Sequence, residues 1–141
     1  MPLLRNIVWS FGSTKYPTLE SFNEKLTAYQ VAILGHADDW HPEEVLVNHP
    51  KVAIAYEYWI QADHVSFDNE TKDEDGGEQK EVVVTFSADN GESFTALELF
   101  YKLNERLTYR YLGNHIFFEG LMEVSNFEKR AIPTYYLRCG S

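Results

Sequence analysis

The stretch from Phe94 to Val124, FTALELFYKLNERLTYRYLGNHIFFEGLMEV, restricts the fold more than any other part of the chain, because one run specifies a helix, its stop and a following strand. Thr95 and Glu98 have the spacing of a capping box, in which the Thr95 hydroxyl accepts from the Glu98 N–H and the Glu98 carboxylate reaches back to the Thr95 N–H. Phe94 and Leu99 stand where a hydrophobic staple closes over that first turn. At about 100° per residue, Ala96, Leu99, Phe100, Leu103, Leu107 and Tyr111 fall on one side, with Glu98, Lys102, Glu105 and Arg106 opposite. Gly113 suits the left-handed residue that ends a helix, and Arg106 and Arg110 complement the negative end of its dipole. His115 to Val124 then reads as a strongly apolar strand. A helix with one apolar stripe, followed directly by such a strand, needs a sheet on which to bury that stripe.

The rest of the chain supplies the sheet. Pro17-Thr18 opens a first helix with Thr18 as cap, and Leu19, Phe22, Leu26 and Tyr29 repeat at helical spacing. Val31-Ala32-Ile33-Leu34, ended by Gly35, is too short to separate a buried strand from the tail of the helix, but its β-branched residues and the glycine favour a strand. Lys51 to Ile60 alternates, with Val52, Ile54, Tyr56, Tyr58 and Ile60 on one face and Ala53, Ala55, Glu57 and Trp59 on the other. The small residues of the second face predict a close neighbour there. This strand can continue through His64 to Phe67, and Val82 to Phe86 forms its hairpin partner across a polar segment centred on Asp75-Gly76-Gly77. Asp89-Asn90-Gly91 is a second turn, and Thr134 to Cys139 is a last strand entered at Pro133 after a loop containing Asn126, Lys129 and Arg130. Near the N-terminus, Ile7-Val8-Trp9 fits either a short strand or a short helix. There is no internal repeat and no linker rich in Gly, Ser and Pro. The expected architecture is therefore one α+β domain spanning residues 1–141, with a mainly antiparallel sheet of four to six strands and two helices packed on one face.

Charge narrows the partners. Twelve basic and 22 acidic residues give a formal charge of −10, which argues against nucleic acid, whose binders need a basic stripe to displace counterions. The same charge favours encounter with a basic protein. No apolar run has the length of a membrane span and no signal-type N-terminus is present. The single cysteine, Cys139, excludes an internal disulfide and fits a reducing compartment, so a cytoplasmic setting is expected.

His36, Asp38, Asp39, His41, Glu43, Glu44 and His49 could supply metal ligands, but no zinc-ligand spacing occurs, and Pro42-Glu43-Glu44 equally suits the first turn of a helix. The segment 68–81 carries seven acids against two lysines, half of the net charge. Placing Asp73, Asp75 and Gly76 in a calcium loop puts Thr71 and Val82 at its two ends, where carboxylates are required, so that frame fails. Gly12-Ser13-Thr14-Lys15 lacks the spaced glycines of a phosphate loop, and no serine sits in a nucleophile elbow. Cys139 reads as a small buried thiol, and His115 as a strand histidine. Glu119, within an apolar strand, is either buried or on the open side of the sheet. No cofactor is implied.

The runs SFTALELFYKLN, LGNHIFFEGL and PTYYLRCGS, between Ser93 and Ser141, resemble small immunity-type proteins of bacterial polymorphic or contact-dependent toxin systems. That resemblance implies a cytosolic, non-catalytic protein that binds and occludes a cognate toxin domain, often a basic nuclease. It carries no shared catalytic or contact residues. Expected docking residues are Asp38, Asp39 and Trp40, Trp59 on the small-residue face, and Asp73, Glu74, Asp75 and Glu78 of the acidic segment. The other readings are a metal-assisted hydrolase using the His36–His49 cluster, and a ligand-binding or assembly domain.

Overall fold

The computed structural model describes residues 3–12, 14–59, 79–108, 116–125 and 129–140. Its elements, numbered in chain order, are α1 (Leu19–Leu34), β1 (Val45–Val47), β2 (Lys51–Trp59), β3 (Gln79–Ser87), β4 (Phe94–Thr95), α2 (Ala96–Leu107), β5 (Phe117–Glu123) and β6 (Thr134–Gly140). The expected α+β class and four-stranded sheet are present. Strand order is β3-β2-β6-β5, with a separate two-stranded ladder of β1 and β4. The β2–β3 and β5–β6 pairs are antiparallel and β2–β6 is parallel, so the sheet is mixed.

The inner face of β2 presents Val52, Ile54 and Tyr56, all fully buried. α2 lies over this side, its Phe100 ring 4.7 Å from Phe118 of β5 and its Arg106 Nε donating to the Tyr56 hydroxyl at 3.3 Å. The stripe read from sequence is the buried one: Ala96, Leu99, Phe100, Leu103 and Leu107 are all 1% exposed or less. α1 packs on α2 through Phe22, which touches Phe100 and Tyr101.

Three local expectations are corrected. Val31 to Leu34 form no strand; they are the last turn of α1, closed by Gly35 at φ 82° with its N–H bonded to the Val31 carbonyl. Four β-branched or apolar residues were too few to overcome continuation of an established helix, and Val31 and Ile33 end half-exposed. The Glu98 carboxylate does not return to its own N-cap. It accepts instead from the Asp89 N–H and from Lys102, while Thr95 keeps its half of the cap by accepting from the Glu98 N–H. The remaining N-terminal amides of α2 are satisfied from outside, Ala96 N–H by the Glu44 carbonyl and Leu97 N–H by the Pro42 carbonyl. The reciprocal box occurs at the other helix, between Thr18 and Ser21. Finally, residues 42–44 do not begin a helix; they lead into β1. Gly113 and His115 lie outside the described residues.

The N-terminal segment is an arm laid along β5. Leu3 exchanges backbone hydrogen bonds with Leu121, the Trp9 carbonyl accepts from Phe118, and Phe11 donates to Ile116. It turns at Leu4, whose φ of 58° is unusual for a side-chain-bearing residue. Gln30 of α1, 1% exposed, holds it there: its Oε1 accepts from the Val8 N–H and its Nε2 donates to the Val8 carbonyl. One amide thus reproduces what a neighbouring strand would offer. No helix among the described residues is long and apolar enough to cross a membrane.

Candidate functional site

The 36–44 segment is an acidic loop anchored through Trp40 rather than a ligand cage. Its histidines are engaged locally and apart: His36 Nδ1 accepts from the Asp38 N–H, and His49 Nδ1 accepts from the Lys51 N–H. Among the described residues, no three of His, Cys, Asp and Glu converge in a way that could hold a metal ion. Asp38, Asp39, Glu43 and Glu44 are exposed. Trp40, expected as a docking anchor, turns inward. It is 6% exposed, donates from Nε1 to Asn23 at 2.7 Å and stands edge-on to Phe100. Burial of its large ring outweighs any use at the surface, and it fixes the loop whose acids flank it. His36 and Asp39 also line a shallow cleft of about 470 Å³ with Arg5 and Glu119, floored by Ile7 and Phe118.

Trp59 is the last residue of β2, and its side chain lies outside what is described, as do Asp73, Glu74, Asp75 and Glu78 entirely. The strands on either side of that acidic segment do pair as a hairpin, Lys51 to Trp59 against Gln79 to Ser87 without a bulge. That register reveals a pair the linear sequence hides: Glu57 stands directly opposite Glu81 at the base of the hairpin, both exposed. The Ala88 N–H bonds to the Pro50 carbonyl, so even-numbered residues of β3 make the ladder to β2 and odd-numbered ones do not. Glu57 and Glu81 are therefore a non-hydrogen-bonded pair, the kind whose side chains come closest, and like charges so placed are destabilising. Tyr136 of β6 joins them. Burial, then its hydrogen bond to Glu57 and the charges of Glu57 and Glu81, push its hydroxyl up to about 12. On the same outer face Ala55 sits between Val83 and Tyr136 in register and is 4% exposed, which accounts for the small residues noted in β2.

A second charged group was also illegible in the sequence. Lys102 Nζ lies 2.8 Å from both Asp89 Oδ1 and Glu98 Oε2 and 2.6 Å from the Ser87 carbonyl, with the Phe94 ring 5.5 Å away. Burial alone would lower its pKa, but hydrogen bonds and charges from Asp89 and Glu98 outweigh that and raise it. Lys102 therefore stays protonated, a clasp between the end of β3 and α2 with no nucleophilic character.

Cys139 is equally unreactive. Burial, with the nearby charge of Glu119, pushes its thiol from 9.0 up to about 12. Such a shift cuts the thiolate present at pH 8 by about a thousandfold, and the greater nucleophilicity of a basic thiolate recovers only part of it. Iodoacetamide at pH 8 is expected to alkylate the folded protein roughly 30-fold more slowly than the denatured chain. Equal rates would show an accessible, ordinary thiol. The sign for stability follows: Cys139 and Tyr136 favour their neutral forms in the fold, so their contribution is complete below pH 9 and is lost as pH rises towards 12. Glu119 itself is exposed, on a strand bulge at Gly120 (φ 114°), with its carboxylate against Gly140 where a Cβ would lie 2.6 Å from Oε2. Comparison with protein-family models, with curated proteins and with solved structures finds no match to this chain.

Proposed function

We propose that this protein is a non-catalytic, stoichiometric protein-binding module, an immunity-type inhibitor that meets a basic toxin domain through an acidic surface. The observation that carries this reading is the Glu57–Glu81 pair at the base of the β2–β3 hairpin. Two carboxylates set opposite one another across a ladder cost stability. A cationic side chain from a partner, placed between the two, removes that cost and gains two charge-assisted contacts. In sequence, the segment joining these strands adds Asp68, Glu70, Asp73, Glu74, Asp75 and Glu78, so the negative charge is concentrated at one hairpin. The clamped loop bearing Asp38, Asp39, Glu43 and Glu44 offers further exposed acids at little ordering cost, since Trp40 already fixes it.

The test is to co-express the protein with the product of each flanking open reading frame that encodes a basic domain, and to follow any complex by stopped-flow association of the purified pair. The double variant Glu57→Gln, Glu81→Gln is expected to unfold at higher denaturant than the parent yet to associate about tenfold more slowly at low salt. An unchanged association rate, or a toxin left active at equal stoichiometry, would discard the proposal.

A further inference from the structure

The two edges of the main sheet are treated differently. The β5 edge is covered by the protein's own arm, through the bonds of Leu3, Trp9 and Phe11. The β3 edge has no such cover among the described residues. Because even-numbered residues of β3 bond to β2, the N–H and C=O groups of Glu81, Val83, Thr85 and Ser87 point outward, and the Ser87 carbonyl is indeed the one Lys102 reaches. A long edge of this kind is a template for another strand, and among the described residues only Lys102, at its end, reaches it.

We infer that β3 pairs with β3 of a second copy, antiparallel about a two-fold axis at Val83, to make one continuous sheet across a dimer. Val83 is the midpoint of Gln79–Ser87, so this register overlaps the whole strand. Five residue pairs then have their backbone groups facing, Val83 with Val83, Glu81 with Thr85 twice and Gln79 with Ser87 twice; the first three each exchange two hydrogen bonds, and at the ends Lys102 already holds the Ser87 carbonyl. No like charges oppose one another, since Glu81 meets Thr85, Val82 meets Val84, and Lys80 aligns with Phe86. A parallel, in-register pairing would set Glu81 beside Glu81. Val83, 58% exposed on the outer face, meets its twin at the axis. On the inner side, the groove between β3 and α2 carries Lys102, Glu105 and Arg106, both signs together, so the two copies do not meet as single-sign surfaces. The opposing term is long-range repulsion between two chains of −10 each, which salt screens. Self-association should therefore strengthen with salt, opposite to the steered binding of a basic partner.

Sedimentation velocity over the micromolar range at low and high salt tests this, with amide hydrogen exchange to locate the contact. The expected result is twice the monomer mass at high salt, with the Glu81, Val83 and Thr85 amides protected only in the dimer and those of Val82 and Val84 protected throughout. Val83→Lys places like charges at the axis and is expected to weaken dimerisation about tenfold or more. Val83→Pro removes only an outward N–H, leaving the β2 ladder intact, and should act alike with an unchanged circular dichroism spectrum. A chain monomeric under all conditions, a dimer indifferent to both substitutions, or a dimer whose odd-numbered β3 amides exchange freely would each overturn the inference.

Discussion

Phe100→Ala is expected to lower stability by about 3–5 kcal/mol. Phe100 is fully buried and its ring lies within 6.5 Å of five others: Trp9, Phe11, Phe22, Trp40 and Phe118. Those rings come from the N-terminal arm, α1, the acidic loop and β5, elements far apart in sequence that meet on one residue of α2. Truncation removes the ring's transfer energy and leaves a cavity whose walls are large, stiff rings that cannot easily collapse into it. Phe100→Leu keeps most of the volume and should lose about 1.5 kcal/mol or somewhat more. Urea unfolding gives both values, and the midpoint should move without a change of slope if only the native core is affected. A loss for Phe100→Ala below about 1 kcal/mol would mean that the five elements are held together elsewhere.

Why Phe100 could be picked out as core from sequence, but not as a junction, shows what the sequence makes legible. Its membership of the buried stripe follows from helical periodicity, a local property of Ala96 to Leu107. Its neighbours are non-local, and nothing in the order of residues says that Trp9 and Trp40 should reach it. Trp40 illustrates the consequence: flanked by Asp38, Asp39 and His41, it reads as a surface anchor, yet it enters the core by bonding Asn23. Glu98 illustrates another. Its spacing to Thr95 is correct for a cap, but the Asp89 amide, brought by the turn before β4, and Lys102, one turn further along α2, compete for the same carboxylate and win. The strands 51–59 and 79–87 were legible because alternation is local, whereas the Glu57–Glu81 opposition needed the register between them. Asp38 and Asp39 are exposed, as their polarity alone suggests, which says that they face water and nothing about what they meet.

Gln30 had no such local sign, and substituting it should expose the second large dependence of the fold. Gln30→Leu preserves approximate volume but leaves the Val8 N–H and C=O without the amide that now satisfies both. At about 1–3 kcal/mol for each group left unpaired, and less where partial exposure of Val8 admits water, a loss of about 2–4 kcal/mol is expected. The damage should be directional. The amides of Phe11, Phe118 and Leu121, which the arm and β5 share, should exchange faster relative to those of β2, because the arm is released before the sheet opens. Uniform acceleration would instead indicate that Gln30 contributes only to overall packing. Gln30→Glu separates donor from acceptor. Its carboxylate can still accept from the Val8 N–H but repels the Val8 carbonyl, whereas its protonated form can donate to that carbonyl as Nε2 does. Burial and that repulsion raise the folded-state pKa of the introduced acid, so its stabilising contribution is present at low pH and lost as pH rises through the raised value. Relative to the parent, the Gln30→Glu protein should therefore gain stability on mild acidification. A deficit that stays constant between pH 4 and pH 8 would show that the bond to the Val8 carbonyl contributes nothing.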